Sequence, residues 1–301
     1  MIRSLFRIWQ VALAECAGAV RSRRALVILV LYLLSAVFCM MGTITMLGKM
    51  ESELAKVLQL PESERTGVVS VTLWKSKPFQ RMIKAGVKND LVYNDIAGRH
   101  PAELVYAWFA FMCAPLLAVL VAGNRVADDL KSGAVRYALV RVTRLEWTLG
   151  KYAGQVLMVA LALAASAIGA WIVAVFRLSG VGMFELLPAM FGWGFRAGLY
   201  ALAWLGLALG VSHVTRSGSR ATALGMLAVA LCAAWPGILK LLDMWLGCPW
   251  IHHFDAIVPS SAEMSLWRRS FVPLFTGGSH LLVLGLAYLM LGHAVFARRD
   301  A

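Results

Sequence analysis

Hydrophobic positions in this chain gather into runs long enough to cross a bilayer, separated by short polar connections. A helix needs about 20 apolar residues, at 1.5 Å rise each, to span the hydrocarbon core. Ala25–Leu47 meets that length without a charge, and Leu104–Gly123, Ala153–Phe176, Met190–His213, Ala221–Leu239 and Val272–Val295 follow. The pattern predicts an all-α integral membrane protein with six transmembrane helices. The first run is too long for a signal-peptide core and no small-x-small cleavage site follows it, so it reads as a retained anchor. Arg196 lies inside the fourth run and Pro188 precedes it, which sets the expected start of that helix some residues after Met190.

Outside the spans the periodicity changes. Over residues 2–16, Ile2, Leu5, Phe6, Trp9, Leu13 and Cys16 share one arc while Arg3, Arg7 and Gln10 share another, the pattern of an amphipathic helix. Residues 1–24 therefore predict a helix lying in the membrane interface, with packing against the protein's own spans as the competing reading. Residues 25–301 hold the transmembrane domain. Within it, the 48–103 connection is too small and too weakly patterned for an independent core and is expected to cap the outer mouth of the spans, its first part helical up to Pro61. The 240–270 connection is apolar, rich in Trp and broken by Pro249 and Pro259, which suits a re-entrant or interfacial element.

Composition removes the soluble classes. The chain of 301 residues is 60% hydrophobic and only 15% charged, whereas a soluble domain carries roughly 25% charged residues. The formal charge of +13 would suggest nucleic acid in a soluble protein, but no basic domain lies outside the apolar runs, so no nucleic-acid partner is expected. The cations instead sort by side. Arg3, Arg7, Arg21, Arg23 and Arg24 precede the first span, and Arg125, Lys131, Arg136, Arg141, Arg144 and Lys151 fill the 124–152 connection. Arg216, Arg220, Arg298 and Arg299 fall on the same side. The positive-inside rule then puts both termini in the cytoplasm. Five scattered cysteines show no metal or disulfide spacing. His252, His253 and Asp255 could be drawn as a metal site, but adjacent histidines diverge and no further ligand is visible, so no metal is expected.

The 124–152 segment carries the candidate chemistry. It opens with Asp128 and Asp129, breaks at Gly133, and continues as a short helix with Val135, Ala138, Leu139 and Val142 at i, i+3, i+4 and i+7. Arg136, Arg141 and Arg144 occupy the other faces, and Gly150-Lys151 leads into the third span. A solvated loop with positive-inside arginines accounts for the charges, but an apolar stripe needs a partner surface, from this chain or another.

The order and spacing of Asp128/Asp129, Gly133, Arg144 and Gly150-Lys151 resemble the cytoplasmic loop of the permeases of type-2 ABC transporters. The N-terminal helix with Glu15, the Arg21–Arg24 cluster and the terminal FARRDA are similar to that family too. The acids stand where the family often has Glu, and no Pro lies near Arg141. The resemblance implies a permease that pairs with a second copy or a homologous permease and docks its loop on a separate ABC ATPase subunit. That partner would hold ATP and Mg, with no cofactor in this chain. It also implies export across a bacterial inner membrane. Asp128, Asp129, Gly133, Arg144 and Lys151 become the coupling residues, the acids for polar contacts to the ATPase and the glycine for the turn. Arg144 and Lys151 read equally well as headgroup-binding cations.

The chain itself is not expected to be an enzyme. A nucleotide-cradling loop needs GxxxxGK[ST]. Gly48-Lys49 is followed by Met50, and Gly150-Lys151 by Tyr152 with Leu145 at the first glycine position. His213, His280 and His293 stand singly on apolar helices, the setting of helix–helix hydrogen bonding rather than catalysis. A non-transporting accessory subunit and an intramembrane enzyme are the alternatives. Arg196 either snorkels to the outer interface or lines the substrate path; the cargo itself is not legible.

Overall fold

The computed structural model describes residues 2–58, 81, 84, 89–178, 183–247 and 249–298. Among them, the elements in chain order are α1 (Ile2–Arg21), α2 (Arg23–Leu58), α3 (Asp90–Ile96), α4 (Pro101–Ala122), α5 (Arg125–Ser132), α6 (Ala134–Leu139), α7 (Arg144–Arg177), α8 (Met183–Val214) and α9 (Gly218–Leu246). Two 3-10 helices (Pro249–Ile257 and Pro259–Ala262), α10 (Glu263–Leu266) and α11 (Phe271–Ala297) complete the chain. Six helices are long and apolar enough to cross a membrane, carried by α2, α4, α7, α8, α9 and α11. The protein is an all-α, multi-pass membrane protein. Residues 59–80, 82–83 and 85–88 of the 48–103 connection, Pro61 among them, lie outside the described residues. The first part of that connection continues α2 as one 36-residue helix.

The helix starts follow local chemistry. His100 Nδ1 accepts the Ala102 N–H at 3.2 Å and Pro101 takes the first turn of α4, where its missing N–H costs nothing. Thr143 and Glu146 close a capping box at the start of α7, satisfying two orphan donors reciprocally. The fourth span corrects the sequence expectation. Its helix begins at Met183, ahead of Met190 rather than after it, with Pro188 inside. Proline removes one intrahelical bond, but Leu186, Met190 and Trp193 are buried on the surrounding turns, and tertiary packing carries the helix through.

α8 is the hub, packing on α11, α4, α7 and α9. Its closest contact is with α11. A Cβ at Gly206 would fall on the Gly285 backbone, and one at Gly292 on the Gly210 backbone. Small residues at these crossings let backbones meet where no hydrophobic drive between helices operates. Gly192, by contrast, faces open space.

The 3-10 helix Pro249–Ile257 is held from inside the flanking spans. Trp235 Nε1 of α9 donates to Phe254 O at 3.3 Å, His280 Nε2 of α11 to Ala256 O at 3.0 Å, and Tyr288 Oη of α11 to Ile257 O. Three carbonyls that a short 3-10 turn leaves open are thus satisfied by side chains. Among the described residues no group of three metal-type side chains gathers, and the His252 side chain lies outside the description.

At the same end, Arg268 Nε and Arg269 N–H donate to the Asp95 carboxylate at 2.8 and 3.1 Å. Trp267 packs at a tilt against the Phe111 and Trp193 rings, and Glu263 receives hydrogen bonds from Trp267 and Tyr200. Burial raises the Glu263 carboxyl above its ordinary value of 4.5, against those two donors. A folded-state pKa above the unfolded one means stability is lost as pH rises from the ordinary value through the raised one. Glu263→Gln, which stays neutral, is expected to flatten that loss. The check is the thermal midpoint of both chains in detergent from pH 4 to 8. A parallel pH dependence in the two would show that Glu263 does not carry it.

Candidate functional site

The segment joining the second and third spans is a helix–glycine–helix. α5 ends at Gly133, whose φ of +74° is the left-handed conformation that glycine adopts without a Cβ penalty. α6 follows and the chain re-enters the bundle at Thr143. The expected apolar stripe is present and faces inward. Val135 is buried, and Ala138, Leu139 and Val142 pack against the core. The partner that this stripe needs is the chain itself.

α5 is fixed on three sides. The Ala127 N–H donates to Ser212 Oγ of α8 at 3.1 Å. Asn124 Nδ2 donates to the Asp128 carboxylate, which also abuts Gly218 at the start of α9. Asp129 pairs with Lys151 Nζ of α7 at 2.6 Å.

Lys151 is the junction of a wider network. Its ammonium also pairs with Glu15 of α1, whose second oxygen accepts from Gln155 Nε2 at 2.8 Å and lies 3.8 Å from Arg125 Nε. Lys151 and Glu15 are each under a tenth exposed. α1 reaches this depth because Gly150 and Gly154 form a small-xxx-small step on α7. A side chain at Gly150 would meet Val11 and the Ile8 carbonyl, and one at Gly154 would meet Glu15 and the Ala12 carbonyl. Cys16 Sγ donates to the Gly154 carbonyl at 3.4 Å. α1, α5 and the base of α7 therefore share one buried ionic centre. Sequence reasoning names Glu15 and Lys151 separately, each as a family feature, and does not join them.

Arg144 has a different task. Its guanidinium donates to Phe296 O at 3.2 Å and Ala297 O at 2.7 Å and lies over the Phe296 ring. It caps the C-terminus of α11, where carbonyls lack intrahelical partners and a cation is favoured. Deeper in, Thr148 Oγ1 lies 3.4 Å from His213 Nε2 and 3.0 Å from His293 Nδ1. His213 Nδ1 donates to Leu209 O at 2.7 Å, so a neutral His213 ring accepts at Nε2. These histidines bond helix to helix.

What remains exposed on α6 and just after it is apolar and cationic. Tyr137 is 83% and Val140 84% exposed, flanked by exposed Lys131, Arg136 and Arg141. Neither Tyr137 nor Val140 lies on the stripe, so hydrophobic periodicity passes over them. Arg196, the weak path candidate, is set apart from all of these. It lies more than three turns into α8, donates to Leu266 O at 3.3 Å and covers the Trp193 ring at 4.7 Å. The early helix start removes the simple picture of a residue at the first turn reaching water.

These features define a polytopic membrane protein with a rigidly braced, outward-projecting helix between its second and third spans. The chain matches the family described as ABC-2 family transporter protein over residues 9–301 and belongs to that family. It is a membrane permease component of an ABC transporter, a family of generally non-enzymatic membrane subunits that work within a transporter complex. A comparison with curated proteins finds no match.

Proposed function

We propose that this chain is the permease subunit of an ATP-driven exporter in a bacterial inner membrane, with both termini cytoplasmic. It works as a pair, with a second copy or a homologous permease. Each loop docks on a separate ATPase subunit that holds the ATP and Mg. The observation that carries the reading is the contrast within one short segment. Gly133 and the Asp129–Lys151–Glu15 centre brace α5 and α6 from behind, while Tyr137 and Val140 project in front with no covering surface among the described residues.

A push on Tyr137 and Val140 passes through a braced segment into α5, α7 and α1 together, a rigid-body input of the hinge or shear type. In this reading Asp128 and Asp129 act from behind, by fixing α5, and Arg144 fixes the end of α11. α1 lies in the interface plane, because Leu5, Phe6, Trp9 and Leu13 remain exposed on the face opposite its seat on α7. The Pro249–Ile257 segment dips into the bilayer. Irregular backbone is tolerated there only when its carbonyls are satisfied, as the bonds from Trp235, His280 and Tyr288 do.

The test is co-purification. The tagged chain in mild detergent is expected to bring down an ATPase in equal stoichiometry. Tyr137→Asp combined with Val140→Asp is expected to weaken that association about 30-fold, as loss of an interface anchor worth about 2 kcal/mol does. The thermal midpoint of the purified chain should not change, since both side chains lie outside its core. A chain that purifies alone, under conditions that preserve known complexes, would refute the docking reading. So would a double variant that binds as tightly as the parent.

A further inference from the structure

α1 has three sides. Ile8, Val11, Ala12, Glu15 and Ala19 share the side that seats on α7, where Ala12 and Ala19 are fully buried and Val11 and Glu15 fill the steps at Gly150 and Gly154. About a third of a turn round, Leu5, Phe6, Trp9, Leu13 and Val20 form an apolar side, each roughly half exposed. The remaining side holds Arg3, Gln10, Ala14 and Arg21, all exposed. Arg21 stands whole turns from Arg3, on the same line of the helix. The small residues Ala14, Ala17 and Gly18 leave the surface between them open, and a Cβ on Gly18 would meet nothing.

The helix ends at a joint that adds charge. Arg21 closes α1, and Arg23 and Arg24 open α2 on the other side of Ser22; all three are exposed. Arg7 lies 3.7 Å from Glu146 at the start of α7, so it belongs to the seat. Among the described residues no acid pairs with Arg3, Arg21, Arg23 or Arg24. Four such cations beside an apolar side match a bilayer, which supplies acyl chains to one side of the helix and anions to the other. A protein partner in the aqueous phase would cover the arginines but leave Leu5, Phe6, Trp9 and Leu13 in water.

We propose that anionic phospholipid of the cytoplasmic leaflet holds α1, its headgroups meeting Arg3, Arg21, Arg23 and Arg24, and thereby steadies the Glu15–Lys151–Asp129 centre behind the docking segment. This rests on the interfacial placement of α1 proposed above. The headgroups engage α1 only as an ordered helix, because only the helix sorts arginines and apolar residues onto separate sides. A partner that binds the ordered form alone stabilises it by mass action. Glu15 rides on the same helix, so α1 held in place keeps Glu15 against Lys151, which also pairs with Asp129 of α5.

The experiment is hydrogen exchange on the full-length chain in nanodiscs of phosphatidylcholine alone and of equal parts phosphatidylcholine and phosphatidylglycerol. Amides of residues 8–19 are expected to exchange at least about tenfold more slowly with phosphatidylglycerol, since each arginine near an anionic surface contributes about fivefold. Amides of α5 should slow in the same direction by a smaller factor. Arg3→Gln, Arg21→Gln, Arg23→Gln and Arg24→Gln together should abolish the difference, and so should high salt on the parent chain. Arg216→Gln with Arg220→Gln removes two exposed cations of another connection and should leave the difference intact. Equal exchange of the parent in the two bilayers overturns the proposal, as does a difference that survives in the fourfold variant. An α1 that responds while α5 does not refutes the link to the docking segment. Leu5→Cys tests the placement of α1 separately, through its modification by a charged maleimide read from the mass of the peptide. Slow modification in both bilayers keeps α1 in the interface whatever the lipid charge does; rapid modification in both removes that placement and the proposal with it.

Discussion

Replacing Lys151 with methionine is expected to cost about 3–5 kcal/mol, the range for breaking a buried ion pair by removing one partner. The methionine keeps the volume and removes the ammonium that faces both Glu15 and Asp129. The two acids do not suffer equally. Asp129 is about three-tenths exposed and can rehydrate, so Asp129→Asn alone should cost nearer 1 kcal/mol, as partly exposed pairs do. Glu15 is under a tenth exposed and would keep only Gln155 and the more distant Arg125. The helix that carries Glu15 should therefore loosen first. Amide exchange of residues 8–19 is expected to rise well ahead of the thermal midpoint falling. Adding Glu15→Leu to Lys151→Met should recover part of the loss, since the uncompensated carboxylate is then gone. A double-mutant cycle measures that coupling. Additive single effects would mean that the centre does not hold α1.

That centre also marks the limit of what could be read from the chain. The six spans were legible because an unbroken apolar run of about 20 residues matches the thickness of the hydrocarbon core. The turn at Gly133 was legible because few residues besides glycine take a positive φ without cost. The Gly150/Gly154 spacing is that of a small-xxx-small step, but it does not say which helix fills it. Glu15 and Lys151 are 136 residues apart, and periodicity pairs only residues a turn or two away. Residues 128, 129, 133, 144 and 151 lie along one stretch of chain, yet the structure distributes them among different tasks. Asp128 meets Asn124 and Gly218, Asp129 meets Lys151, and Arg144 caps α11.

The stripe and the start of the fourth span show the same limit from opposite sides. Val135, Ala138, Leu139 and Val142 are legible as one apolar face, but a face does not say which surface covers it. The residues left projecting, Tyr137 and Val140, break that pattern, so the signal that finds the helix passes over its exposed edge. In the fourth span, Pro188 and Arg196 are locally unfavourable and argue for a late start. The burial of Leu186, Met190 and Trp193 reverses that local preference. Arg196 then finds a carbonyl from a distant part of the sequence and an indole on its own helix rather than water.

Gly206→Leu should be strongly damaging for a different reason, a backbone clash between two spans. A Cβ at 206 would lie on the oxygen, the carbonyl carbon and the Cα of Gly285, all backbone atoms, and no rotamer change can move them aside. α8 and α11 would have to separate along the interface that also includes Gly210 and Gly292. Overpacking in a tight core costs about 1–3 kcal/mol, more when the obstacle cannot yield, and here about 3 kcal/mol or above is expected. Gly192→Leu on the same helix is the matched control. Its Cβ meets open space, so only the gain in helix propensity of under about 1 kcal/mol remains, and that chain should be unchanged or slightly more stable. The propensity gain is common to both variants, so the difference between their thermal midpoints in detergent isolates the helix contact. Equal midpoints would show that α11 does not approach α8 at Gly206, and the hub arrangement around α8 would fall with that contact.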